Sequence, residues 1–155
     1  MNEKRFFGAP ASHGIGEGTA FLFSRSTDFE HIQKREISDV EKEVRRIETA
    51  IAAAEKEIEG FLRGKTELSD QEHAILKIQL LFLLDKSFTD KILAYAGDGY
   101  SAEFSLKSVV DEYIAHFNSL EDAYLRERKK DIRNIGRRIL QHLLNTENPD
   151  GCKWR

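Results

Sequence analysis

The sequence predicts a mainly α protein: an antiparallel bundle of four to five helices preceded by a short β segment. Three observations carry this expectation. Apolar residues from Val40 to Leu62 recur at steps of four and three, the spacing of one helix face. Serines suited to helix N-caps (Ser38, Ser69, Ser101, and Ser87 for a short helix) precede apolar stretches, and Gly64, Gly97 and Gly99 stop them. By contrast, Pro10 and four of the ten glycines crowd between Gly8 and Gly18, where the chain reads as strand and turn.

Residues 1–37 form the β segment. KRFF and TAFLFSR, with aromatic and alternating patterns, suggest two short strands joined by a turn. Two strands alone are marginal in water, and the rest of the sequence offers no sheet for them to join. Helices fill 38–145. Ser38 with Glu41 has the form of a capping box, and the stripe that follows (Val40, Val44, Ile47, Ile51, Ala54, Ile58, Leu62) makes about seven turns. Ser69 with Glu72 repeats the capping box and opens a second helix to about Leu84; Ser87 caps a short third. Ser101 opens a fourth to about Asn118, and a fifth runs from about Ser119 to Leu144. Gly136 inside that fifth helix costs about 1 kcal/mol against alanine, which either a close helix approach or plain local weakness would account for. Residues 146–155 read as a linker or a cut end.

Composition limits what the chain does. A net charge of −3 over 155 residues argues neither for wholesale nucleic-acid binding nor for an acidic tail. Cys152 is the single cysteine, so no disulfide or cysteine-based metal site forms within one chain, and a reducing cytoplasm fits. The first residues lack the apolar core of a signal peptide, and the longest apolar run, LLFLL at 80–84, is far below the roughly 20 residues that span a bilayer. A soluble protein with no membrane role is expected.

The five histidines (His13, His31, His73, His116, His142) form no i, i+4 pair and no HExxH, so neither metal ligation nor a catalytic residue is expected. GIGEG lacks the spacing of a phosphate loop and has no following lysine. RERKKDIRNIGRR, 126–138, holds seven Lys/Arg against two acids, yet its acids at helical spacing read as an ion-paired, solvated face. The informative stretch is EHAILKIQLLFLLDKSF. Between Ala74 and Leu84 only Lys77 and Gln79 are polar, so the helix is apolar nearly all round. Such a helix is either buried on every side or offers a face to a partner, with Ile75, Ile78, Leu81 and Phe82 as candidates for the face.

SLEDAYLRERKKDIRNIGRRIL, 119–140, closely resembles the E-x-D-x-Y-L-x-E-R-x-x-D-x-R-D-I-G-x-R-L-L stretch of the enzyme I family, the phosphoenolpyruvate-protein phosphotransferases of bacterial sugar uptake. AILKIQLLFLLDKSF is similar to that family's A-I-F-x-x-H-x-x-L-L-x-D-x-x-L helix, and GAPASHGIGEGTAFLF to its A-S-P-G-I-x-x-G-x-A opening. The resemblance implies that 1–37 begin an incomplete phosphohistidine domain and that 38–145 are an inserted helical subdomain docking HPr, a small phosphocarrier. His13 stands where the family usually has proline, so the resemblance implies no phosphorylation there. The phosphorylated histidine sits in a G-G-x-x-S-H motif absent from this sequence, so no cofactor is expected here, Mg²⁺ belongs to the parent enzyme, and the chain alone is inactive. Carried over position by position, the partner-binding residues are Asp70, Ala74, Ile75, Gln79, Phe82, Asp85, Phe88, Phe117, Leu125 and Arg128, with Phe82 and Phe88 as anchors. Lys77, Lys86 and Ser87 replace family acids and Gln79 a frequent histidine, which leaves two carriers open: an HPr-like carrier of altered charge, such as the nitrogen-related branch uses, or the sugar-system HPr. A different reading of the same helices is a stand-alone adaptor whose Val40–Leu62 stripe pairs with another chain as a coiled coil.

Overall fold

A computed structural model of the chain describes residues 29–64, 68–122 and 127–147. The two expected strands and His13 fall on residues 1–28, outside the described residues. Among the described residues five helices follow a 3₁₀ turn at Phe29–His31: α1 (Val40–Arg63), α2 (Asp70–Leu84), α3 (Lys86–Gly97), α4 (Ala102–Ser119) and α5 (Lys129–Glu147). Between the turn and α1, an isolated antiparallel bridge joins Glu36 to Tyr100; no strand occurs among the described residues.

Local chemistry places most helix ends. At α2 the expected capping box is complete: Ser69 Oγ accepts from the Glu72 N–H, and Glu72 Oε2 accepts from the Ser69 N–H at 2.8 Å. Ser101 caps α4, accepting from the Phe104 N–H, and Gly64 ends α1. Gly99 takes a φ of +91° in the turn after α3, a conformation open to glycine and costly to other residues. Three expected boundaries move. Asp39, not Ser38, caps α1, its Oδ1 accepting from the Lys42 N–H at 3.0 Å. Asp85 rather than Ser87 caps α3, and its Oδ1 accepts from the Ser87 N–H at 2.9 Å. Ser119 ends α4 instead of opening the last helix, because Leu120 leaves α4 in an extended conformation, and α5 is described from Lys129.

The core gathers Ile47, Ala50, Ala54 and Ile58 of α1, Leu83 of α2, Phe88, Ile92 and Ala96 of α3, Leu106, Val109 and Val110 of α4, and Ile132, Ile135, Ile139 and Leu143 of α5. The α1 stripe is thus used inside the bundle, against α2, α3 and α5, and does not form a free coiled-coil seam. A close approach explains Gly136: a Cβ there would lie 2.7 Å from Val110 Cγ2 and 2.9 Å from Phe29 Cζ. Glu43 ties two distant segments, since its Oε2 accepts from the Ala102 N–H at 2.7 Å while both its oxygens bind the Arg46 guanidinium. Arg46 also reaches Glu103, so the charges in this poorly solvated corner are mutually compensated.

A candidate docking face on α2

Helix α2 carries two apolar stripes. Leu76, Gln79, Leu80 and Leu83, at steps of three and one or four, turn inward; Leu83 and Gln79 are buried, and Leu76 and Leu80 pack half-buried against the core. On the other side, Ala74, Ile75, Ile78, Leu81 and Phe82 share the outward face by the same helical geometry. Leu81 is 68% exposed, Leu84 57% and Ile75 42%, and these with Phe61 of α1 are the large exposed hydrophobics of the described chain. The helix is therefore not buried on every side: one stripe closes the core and the other faces outward. Ile75 and Leu84 lie about 14 Å apart along the helix axis and flank the outward half on opposite edges, with Leu81 and Ile78 between them. Side chains of this kind gathered on one helix face mark a binding surface more often than a random surface does.

Polar groups rim it. Asp70 and Ala74 are exposed at its N-terminal end, and Lys77 is exposed four residues before Leu81. Asp85 is exposed at the other end, where it also accepts from Ser87 Oγ at 2.9 Å. The capping box holds the helix start in place, and the Ser69 backbone N–H, with its hydroxyl, keeps the Glu72 carboxyl below its ordinary value.

Several residues expected on the face sit elsewhere. Phe88 is fully buried, its ring edge-on to Tyr113 with centroids 5.3 Å apart, because α3 turns this position toward α4. It supports the face from beneath through Phe82, whose ring lies 6.4 Å away, and cannot itself be a contact anchor in this conformation. Phe82 is half-buried, with one side on the core and the other at the edge of the face. Gln79 is 4% exposed, and its Oε1 has no hydrogen-bond partner among the described residues. Phe117 packs half-buried against the core, Arg128 is half-buried with Nη1 3.2 Å from Asp131 Oδ2, and Leu125 lies outside the described residues. The structure thus leaves Asp70, Ala74, Ile75, Phe82 and Asp85 on the outward half of α2, exposes Leu81 as the apolar pattern suggested, and adds Leu84. Leu84, three residues beyond Leu81 at the very end of α2, joins the face through the rotation of the helix, which apolar spacing alone does not give.

Two cations of the basic stretch 126–138 are ion-paired: Arg128 with Asp131 at helical spacing, and Arg138 Nη1 2.6 Å from Glu57 Oε1 of α1, whose Oε2 also lies within hydrogen-bond distance, 2.8 Å, of His142 Nε2. No group of three or more metal-ligating side chains comes together among the described residues. No described helix is long and apolar enough to cross a membrane.

Known proteins share this sequence family and fold. A family described as "PEP-utilising enzyme, N-terminal" matches residues 7–128. A phosphoenolpyruvate-protein phosphotransferase of Bacillus sp. (strain S) is 34% identical over 146 residues, covering 93% of this chain and 25% of the relative. Its counterpart in Listeria monocytogenes is 33% identical over 150 residues, covering 95% and 26%. The chain therefore spans about a quarter of the length of these relatives. Among solved structures, "N-terminal domain of Enzyme 1 - Nitrogen" superposes with a TM-score of 0.70 at 26% identity, over 82% of this chain and 52% of that one. A solution structure of an enzyme I protein, with a TM-score of 0.67 at 24% identity over 74% of this chain and 48% of that one, shares the fold.

Proposed function

Because the chain belongs to the PEP-utilising enzyme N-terminal family, as an N-terminal region of the phosphoenolpyruvate-protein phosphotransferases (enzyme I), we propose that its outward α2 face docks HPr or an HPr-like phosphocarrier in the cytoplasm. The observation that carries this is the exposure of three large apolar side chains, Ile75, Leu81 and Leu84, on the outward half of a helix otherwise built into the core. An apolar centre with the rim Asp70, Lys77 and Asp85 is the usual anatomy of a protein interface.

The reaction is phosphoryl transfer to a histidine of the carrier. Such transfer is catalysed largely by holding donor and acceptor in line, and a rigid docking platform supplies that orientation. In this reading the bundle supplies binding, and the donor histidine and the phosphoenolpyruvate and Mg²⁺ sites lie in other parts of the parent enzyme. The chain alone then binds carrier without turnover. The rim also bears on the choice of carrier. Lys77 and Lys86 are exposed beside Asp70 and Asp85, so the face has mixed charge and suits a carrier less uniformly basic than the sugar-system HPr. A nitrogen-type N-terminal domain and an enzyme I structure superpose almost equally, with TM-scores of 0.70 and 0.67, so carriers of both branches enter the test.

Calorimetric titration of the 155-residue chain with purified HPr and with its nitrogen-branch counterpart tests the proposal. Saturable one-to-one binding of one of them is the expected result; no heat and no saturation with either contradicts it.

A further inference from the structure

The segment leading into the bundle is fastened to it at four points. Phe29 is 7% exposed, and its ring occupies the space a Cβ of residue 136 would need, with Cζ 2.9 Å and Cε2 3.2 Å from that position. Lys34 Nζ stands 4.8 Å from the centroid of the Tyr100 ring. The Arg35 carbonyl accepts from the Ser101 N–H at 3.0 Å, at the residue that caps α4. The Ile37 N–H donates to the Gly99 carbonyl at 2.9 Å, completing the bridge between Glu36 and Tyr100. A lead-in that merely connected two parts would need none of these contacts. An aromatic ring seated in a glycine socket is costly to withdraw, since the ring loses its apolar cover and the socket is left empty.

We propose that Phe29 is a positioning residue: seated at Gly136, it locks residues 29–39 onto the bundle and fixes the direction in which the chain enters the bundle relative to the docked carrier. This rests on the docking role proposed above. The carrier face on α2 and the fastened lead-in belong to one packed body, because α1 and α5 join α2 to α4. Holding the lead-in rigid therefore holds the carrier in one orientation relative to whatever the lead-in connects. Withdrawing Phe29 leaves the α2 face intact and loosens only that relation. Binding and transfer are separated by this arrangement: the former depends on α2 and the latter also on Phe29.

Two measurements test it. In the 155-residue chain, Phe29→Ala is expected to speed amide hydrogen exchange at Ile37 and Ser101 by about tenfold or more, with exchange inside α1 and α4 and the affinity for HPr unchanged. In the full-length enzyme the same substitution is expected to lower kcat for transfer to HPr by about tenfold at unchanged KM for HPr, the pattern of lost alignment rather than lost binding. Should Phe29→Ala melt below the assay temperature, Phe29→Leu keeps a smaller apolar plug and is expected to give the same pattern at reduced size. Unchanged exchange at both amides overturns the lock, and an unchanged kcat, or a rise in KM alone, overturns the positioning role. Failure of the docking reading is seen separately, as absence of HPr binding by the unsubstituted chain.

Discussion

Truncating Leu81 separates a docking face from an ordinary core helix. Leu81 is 68% exposed, so about two thirds of its surface remains to be covered by a partner. Burying a whole leucine contributes roughly 1.5–3 kcal/mol, and the uncovered share therefore about 1–2 kcal/mol. At about 1.4 kcal/mol per tenfold, Leu81→Ala should weaken HPr binding by about 5–30-fold. The fold should barely notice: only about a third of the side chain's cover is lost, and alanine's higher helix propensity offsets part of that. Calorimetric titration gives the affinity, and thermal melting followed by circular dichroism shows that the bundle persists. A folded Leu81→Ala chain that binds HPr within about twofold of the original would refute the reasoning, because the most exposed apolar side chain of the face would then be outside the interface.

Phe88→Ala should act in the opposite way, removing a fully buried ring that packs on Tyr113; a loss of about 3–5 kcal/mol and a melting point lower by about 10 °C or more are expected in a scan. Gln79→Met keeps the volume and removes the buried carbonyl oxygen that has no partner among the described residues, so a gain of about 1 kcal/mol in a denaturant titration is expected, and a lower midpoint would contradict it. Acid should loosen the start of α2. The Glu72 carboxyl is held below its ordinary value by the Ser69 backbone N–H and hydroxyl, so its contribution is present above the ordinary carboxylate value and is lost as pH falls through the depressed one. Amide exchange at Ser69, measured from about pH 5 downward and corrected for the intrinsic pH dependence, should rise through that window, and Glu72→Gln should flatten the response.

Much of the bundle was legible because its signals are local. Ser69 with Glu72 and Ser101 carry their capping partners within three residues, and Gly64 marks a stop that needs no tertiary information. Boundaries moved where two suitable caps adjoin, as at Ser38 and Asp39, or where apolar spacing runs through a break, as at Leu120. The face was legible only in part. A helix apolar nearly all round has more greasy surface than a small bundle can cover, which made exposure foreseeable, but its direction depends on how α2 is rotated against α1 and α5. That rotation turned Gln79 inward despite its polarity and left Leu84 outside despite its apolarity. Position-by-position transfer placed Phe88 on the face because a linear match carries no burial, whereas the Asp85 cap and the new helix after it turn Phe88 toward Tyr113.

The most direct test of the account is to map HPr on the isotope-labelled chain by amide and methyl shift changes on titration. The account predicts the largest changes at Ala74, Ile75, Ile78, Leu81 and Leu84, with Phe82 at their edge and the buried side of α2 following only weakly. Changes centred instead on the groove between Lys91, Glu112, Tyr113 and His116, with the outward α2 methyls silent, would contradict it.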